Sequence, residues 1–174
     1  MDERCLKMAG ELENYLFENR KRDLCPVYKN TDLIDRIVKW LAEPFRGKVD
    51  YVASPESVGF ILGSMMAREL GVGFIPIRNA GISYLEDDDK IIASYIDHND
   101  NVKSLQARRS NFPADSKILL VDDWVDTAAT MQTCTTIVEE GGSTVYGIAC
   151  MGARVTEATK ASLESGYIHC ILKK

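Results

Sequence analysis

Two adjacent carboxylates, Asp122 and Asp123, end the apolar run in "KILLVDDWVDTAAT" (117–130), and Thr127 and Thr130 follow with two alanines between them. Carboxylates accept hydrogen bonds and hold hard cations, whereas hydroxyls can donate to an anion. With a strand over 117–121 and a helix over 128–142, the connecting loop lies at a helix N-terminus. Unpaired backbone N–H groups and the positive end of the helix dipole meet there, which makes a ready anion site. Ala128 and Ala129 keep that wall thin enough for a phosphate to approach. Two carboxylates next to a phosphate would repel it unless they face something else, and sugar hydroxyls or a magnesium ion suit them. The stretch therefore reads as a grip for a sugar phosphate, with the phosphate on the helix end and the ribose diol on the acids. The same residues also suit a plainer arrangement, in which the two acids are solvated and Asp126 or Thr127 caps the helix.

The elements that would hold this loop alternate along the chain. Strands are predicted over 49–53, 73–77, 117–121, 144–152 and 167–172, with helices over 57–70, 128–142 and 155–166 between them. Short apolar runs alternating with helices imply βαβ units and a mainly parallel sheet covered on both faces. In such sheets ligands sit beyond the carboxyl ends of the strands, which is where the two acids fall. Ahead of this core, residues 2–20 show a helical stripe of Leu6, Ala9, Leu12 and Leu16. A second helix is predicted from Thr31 or Asp32 as cap through "TDLIDRIVKWLAEPF". The expected organisation is one domain over 1–174, with N-terminal helices over 1–48 forming a small hood and the core over 49–174. The long polar stretch 79–112 holds one apolar run, "IIASYI", and has the length of a flexible lid.

Composition narrows the classes. With 45% apolar and 27% charged residues, the chain is an ordinary globular one. No apolar run approaches the roughly 20 residues a membrane span needs. The first residues are too charged for a secretory signal, so a cytoplasmic location is expected. A net charge of −5 argues against a broad nucleic-acid surface. Five cysteines without a C-x-x-C pair fit a reducing compartment, and two histidines, His98 and His169, give a zinc site no support.

"ILLVDDWVDTAAT" resembles the phosphoribosyl diphosphate (PRPP) signature of the type I phosphoribosyltransferases, in which two acids and a short spacer precede T-G-G-T. Upstream, "DYVASPESVGFILGSMMARELGVGFIPIRNAG" (50–81) is similar to the segment carrying the pyrophosphate loop in the adenine-specific members, and "ASY" (93–95) to the start of their catalytic loop. The resemblance implies an open α/β sheet with helices on both faces and transfer of the phosphoribosyl group of PRPP to a nitrogenous base, adenine-like among the purines. The products would be a nucleoside 5′-monophosphate and pyrophosphate. It implies Mg2+ as cofactor, held directly or indirectly by Asp122 and Asp123, and a homodimer that binds neither nucleic acid nor membrane. It assigns the ribose hydroxyls to Asp122 and Asp123 and the 5-phosphate to Asp126, Thr127, Ala128, Ala129 and Thr130. Pyrophosphate falls to Ser54, Pro55, Glu56, Ser57 and Arg78. The base falls to Val27, Tyr28, Lys29 and Trp124.

The sequence departs from the family pattern at three cationic positions, which are Val58, Asn79 and Ile82 here. Their loss should weaken pyrophosphate binding. Arg108 and Arg109 are the expected replacements from a closing lid, and His98 stands where the lid's glutamate would be, as a candidate proton acceptor or as a surface residue. The glycines of T-G-G-T are alanines, which are tolerated where φ is negative. The lost cations also keep open a non-catalytic domain that binds PRPP or a nucleotide in a regulatory role.

Overall fold

The computed structural model describes residues 3–17, 23–81, 87–96 and 101–174. The helices are α1 (Glu3–Phe17), α2 (Cys25–Lys29), α3 (Thr31–Ala42), α4 (Gly59–Leu70), α5 (Ala129–Glu140) and α6 (Glu157–Glu164). The strands are β1 (Tyr51–Pro55), β2 (Gly73–Asn79), β3 (Lys90–Ile96), β4 (Val102–Arg108), β5 (Lys117–Val125), β6 (Thr144–Ala153) and β7 (Ile168–Lys173). They form one seven-stranded sheet in the order β3-β4-β2-β1-β5-β6-β7. β2, β1, β5, β6 and β7 run parallel, while β4 pairs antiparallel with both β2 and β3.

Alternation of side chains along the strands feeds two cores, one on each face. Leu119, Val121, Ala149 and Met151 join α1, α3 and α4 in the first. Ile118, Leu120, Ile148 and Cys150 join α5 and α6 in the second. Both predicted layers are therefore present, and the N-terminal helices belong to the first core.

Four local expectations change. The buried stripe of α1 is Cys5, Met8 and Leu12, while Leu6 is 55% exposed; the helix is rotated by one residue from the leucine pattern. The cap of α3 is Asn30, whose Oδ1 accepts the Leu33 N–H at 3.1 Å, in place of Thr31 or Asp32. That helix stops at Ala42 because Pro44 cannot donate into it, and a single 3-10 turn, Glu43–Phe45, follows. The stretch expected to be a lid carries the β3–β4 hairpin, seven residue pairs long, which joins the sheet through Arg78↔Gln106 and Asn79↔Leu105. Ile91, Leu105 and Ala107 anchor its inner face in the second core.

Candidate active site

β5 runs past the predicted end at Val121 and carries Asp122, Asp123 and Trp124 with it. Asp122 is laddered to Cys150 and Trp124 to Gly152. The acids are thus held by strand backbone, and the loop proper is only Asp126, Thr127 and Ala128. A side chain at position 152 would collide with the Trp124 ring, so Gly152 is what lets the indole lie flat across β6.

The start of α5 decides between anion site and plain cap. Its N-cap residue is Ala128, and no side chain accepts a hydrogen bond from the first turn. Neither Asp126 nor Thr127 is therefore the N-cap residue, and the first-turn N–H groups have no side-chain cap among the described residues. Ala128 itself has φ +64°, in the left-handed region. That corrects the expectation that the alanines here sit at negative φ; it is the position where the family pattern has glycine, and a Cβ there is strained.

Asp122 is nearly buried, and its Oδ1 accepts the Asp123 N–H at 2.8 Å. Burial, and then the neighbouring Asp123 charge, push its carboxyl well above the ordinary range. A cation or a pair of hydroxyl donors arriving here would favour its ionised form. Gly59, at the start of α4, makes that burial possible: a Cβ there would stand 2.8 Å from Asp122 Oδ1. Tyr28 is half-buried with an unpartnered hydroxyl. Its phenol is raised by burial and then by Asp123 and Asp122, so it stands within electrostatic reach of both acids.

Asp122 lines a cavity of about 540 Å³ together with Trp124, Asp126, Thr127, Ala128 and Thr130. Tyr95 and Lys103, which face each other across the hairpin ladder, and Arg154 complete it. Lys103 and Arg154 were not found by sequence reasoning: neither lies in a recognisable motif, and only hairpin pairing and the β5–β6 ladder bring them here. A larger cavity, about 710 Å³, opens between α1 and α3. Most of its cations are already paired, as in Arg36–Glu11, Lys39–Asp35 and Arg46–Glu69, and it lies away from the strand ends.

The pyrophosphate candidates are less open. Ser54 and Pro55 are buried, and the Ser54 hydroxyl faces Gly63 of α4 without a partner, so neither side chain reaches the cavity. Glu56 Oε2 accepts the Asn79 N–H at 3.0 Å, and Oε1 lies 3.5 Å from Arg78. Ser57 is exposed, and the Glu56–Ser57 peptide is cis. The two expected replacements point elsewhere. Arg108 lies 3.5 Å from Asp89, and Arg109 donates to the Glu140 carbonyl at the far end of α5. At 1.5 Å per residue, that end is roughly 18 Å from the phosphate loop. Of the base candidates, Trp124 lines the cavity, Tyr28 stands within electrostatic reach of the acids, Lys29 is exposed, and Val27 is fully buried in the first core. His98 and Ile82 lie outside the described residues.

A family model for a phosphoribosyl transferase domain matches residues 27–163. The chain is 33% identical over 129 residues to the adenine phosphoribosyltransferase of Trichodesmium erythraeum, covering 74% of each. It is 28% identical over 153 residues to that of Rhodopirellula baltica, covering 87% of this chain and 72% of the relative. Among solved structures, the adenine phosphoribosyltransferase of Thermoanaerobacter pseudethanolicus superposes with a TM-score of 0.76 at 28% identity, covering 88% of this chain and 87% of that one. The Trypanosoma brucei enzyme in complex with AMP, pyrophosphate and ribose-5-phosphate has the same fold, with a TM-score of 0.78 at 19% identity over 95% of this chain and 79% of its own.

Proposed function

Since the chain belongs to the phosphoribosyl transferase family, we propose that it transfers the phosphoribosyl group of PRPP to a purine base, giving a nucleoside 5′-monophosphate and pyrophosphate. One observation supports this most: the uncapped N-terminus of α5 opens into a cavity that also holds the Asp122 carboxylate, so one surface offers donors to a phosphate and acceptors to a diol.

The 5-phosphate sits on the first-turn amides of α5 and the hydroxyls of Thr127 and Thr130. Asp122 and Asp123 take the ribose hydroxyls and fix the sugar's orientation. The bond from C1 to the diphosphate oxygen breaks through an oxocarbenium-like transition state, and the bond to a ring nitrogen forms; the proton on that nitrogen leaves to a nearby acceptor, for which His98 is the candidate. Trp124 and Tyr28 give the flat base an aromatic surface. The Glu56–Ser57 segment and Arg78 border the diphosphate. Asp122 and Asp123 offer two carboxylates, which suits a magnesium ion only if substrate oxygens and water supply the other ligands. When bound, that ion neutralises the leaving group.

A homodimer belongs to the same reading. Ile92, Ile96 and Val102, on one face of the hairpin, are 51%, 64% and 72% exposed, a surface a second copy would cover. A cytoplasmic site of action completes it; among the described residues, no helix is long and apolar enough to cross a membrane. The relatives reported above carry enzyme names, which leaves the regulatory alternative without support.

The test is pyrophosphate release from PRPP with magnesium across a panel of purine bases. Release that depends on a base, with formation of the matching monophosphate, is expected. No release with any of them, from protein shown to be folded, would end the transferase reading.

A further inference from the structure

Arg154 has no part in the ribose-phosphate grip, yet it lines the same cavity. Its backbone is fixed, because its N–H donates to the Val125 carbonyl at 2.8 Å and so continues the β5–β6 ladder beyond Ala153. It follows Gly152 by two residues, the period that returns to one strand face, and Gly152 is where the Trp124 indole lies. Trp124 and Tyr28 pack against the first core, whereas Ala128 and Met131 of the phosphate loop belong to the second. Trp124 and the phosphate loop therefore belong to different sides of the cavity, and the strand period puts Arg154 with Trp124.

The guanidinium is held at one end only. Nε lies 3.3 Å from Asp126 Oδ1, and among the described residues no other side chain forms an ion pair with the guanidinium. The pair is largely solvent-exposed, with side chains 58% and 38% accessible, so as an isolated ion pair it contributes little stability. Its geometric effect is larger, since the contact with Asp126 involves Nε alone and leaves the four N–H donors of the terminal nitrogens for another group. Arginine donates and never accepts. The 5-phosphate already has the α5 amides and the threonine hydroxyls, so these donors remain for the other flat component of the reaction.

Resting on the transferase reading above, we propose that Arg154 is a specificity-determining residue, and that the base it selects is a purine presenting carbonyl oxygen to the cavity, an oxopurine rather than an aminopurine. A carbonyl edge accepts from the fork. The amino edge of adenine places a donor against donors, and a closed site that leaves such groups unpaired rejects the wrong base strongly. Lys103, which lines the same cavity, adds positive potential of the same preference.

The experiment compares hypoxanthine, guanine, xanthine and adenine as acceptors for wild type, Arg154→Leu and Arg154→Lys, with IMP and AMP binding by calorimetry alongside. Wild type should use at least one oxopurine with kcat/KM at least tenfold above adenine. Arg154→Leu should lower that oxopurine value at least tenfold and the adenine value less than threefold, and Arg154→Lys should retain part of the preference. Ribose 5-phosphate affinity should stay within threefold in both variants, which shows that the phosphate loop is intact. Preference of wild type for adenine, or equal losses on all bases in Arg154→Leu, would overturn the assignment while leaving the transferase reading in place. If no base is turned over, the transferase reading falls, and the assignment of Arg154 to the acceptor base falls with it. Failure of both nucleotides to bind would sink both readings.

Discussion

Helices α4 and α5 both begin at the carboxyl ends of adjacent parallel strands, β1 and β5, and neither first turn is capped by a side chain. What faces them differs. The α5 terminus opens on the cavity, with Thr127 and Thr130 beside it. The α4 terminus is closed by the chain's own acid, because Gly59 admits Asp122 against it. The nearest cation on that side, Arg78, stands 3.5 Å from Glu56. On the proposed function, two helix ends of the same type serve opposite purposes: one takes an external anion, and the other faces an internal acid. A free N-terminus is an anion site only when the fold leaves it nothing of its own to neutralise.

The largest effect should come from the open half. Asp123→Asn, which keeps the shape and removes the charge, should weaken ribose 5-phosphate or AMP binding by about 1–3 kcal/mol, the usual cost of a lost charged partner. Calorimetry measures it directly; an unchanged affinity would remove the acid from the grip.

Next comes repair of the closed half. Val58→Arg places a guanidinium at the N-cap of α4, where the family pattern has a cation. It should raise kcat/KM for PRPP about tenfold, within the range for a charge-assisted hydrogen bond. Glu56→Gln, which removes the negative charge 3.5 Å from Arg78, should move the same parameter in the same direction by less. If both changes leave pyrophosphate release where it was, the closed half does not contact the diphosphate.

Asp122→Asn separates stability from binding. The folded-state pKa of Asp122 is raised above its unfolded value by burial and by Asp123. Between those two values the native state binds the extra proton, so stability falls as pH rises through that window. Asparagine carries no such cost. The variant should melt higher than wild type near pH 8, and the gain should vanish below the ordinary carboxyl pKa of about 3.9, while ligand binding is weakened at neutral pH. Thermal melts across pH check this, and a gain that persists in acid would point to packing instead of charge.

Ala128→Gly relieves the left-handed alanine. Relief of about 1–2 kcal/mol, offset in part by the greater chain entropy of glycine, leaves a net stabilisation of about 0.5–1 kcal/mol in denaturant unfolding. The smallest effects belong to Arg108→Ala and Arg109→Ala. Their partners are Asp89 and the Glu140 carbonyl, so kcat should change less than threefold. A tenfold loss would show that the hairpin moves these side chains to the cavity during turnover.

The acids, the threonines and the strand that carries them are readable at once, because an apolar run followed by charge and small residues is a local pattern. Arg108 and Arg109 looked equally suitable, and nothing local distinguishes an arginine that meets pyrophosphate from one that meets an aspartate on a 3-10 turn. Asn30 as the cap of α3 and Cys5, Met8 and Leu12 as the stripe of α1 are differences of one or two residues, where neighbouring side chains have similar propensities and packing chooses. Tyr95 and Lys103 reach the site because β3 and β4 pair, and Arg154 because β6 lies beside β5.

By itself, the sequence determined the alternation of strands and helices, the two-sided sheet and the grouping of acids and hydroxyls at residues 122–130, all of which follow from periodicity and from groups within a few positions of one another. Tertiary structure decided which helix terminus stays open, that Asp122 is buried, that Ala128 is left-handed, and that Arg154 shares the cavity. Each of those depends on backbone approach between segments distant in the chain, such as Gly59 against Asp122 or Trp124 across Gly152. A linear pattern carries the side chains; only packing fixes how close they come.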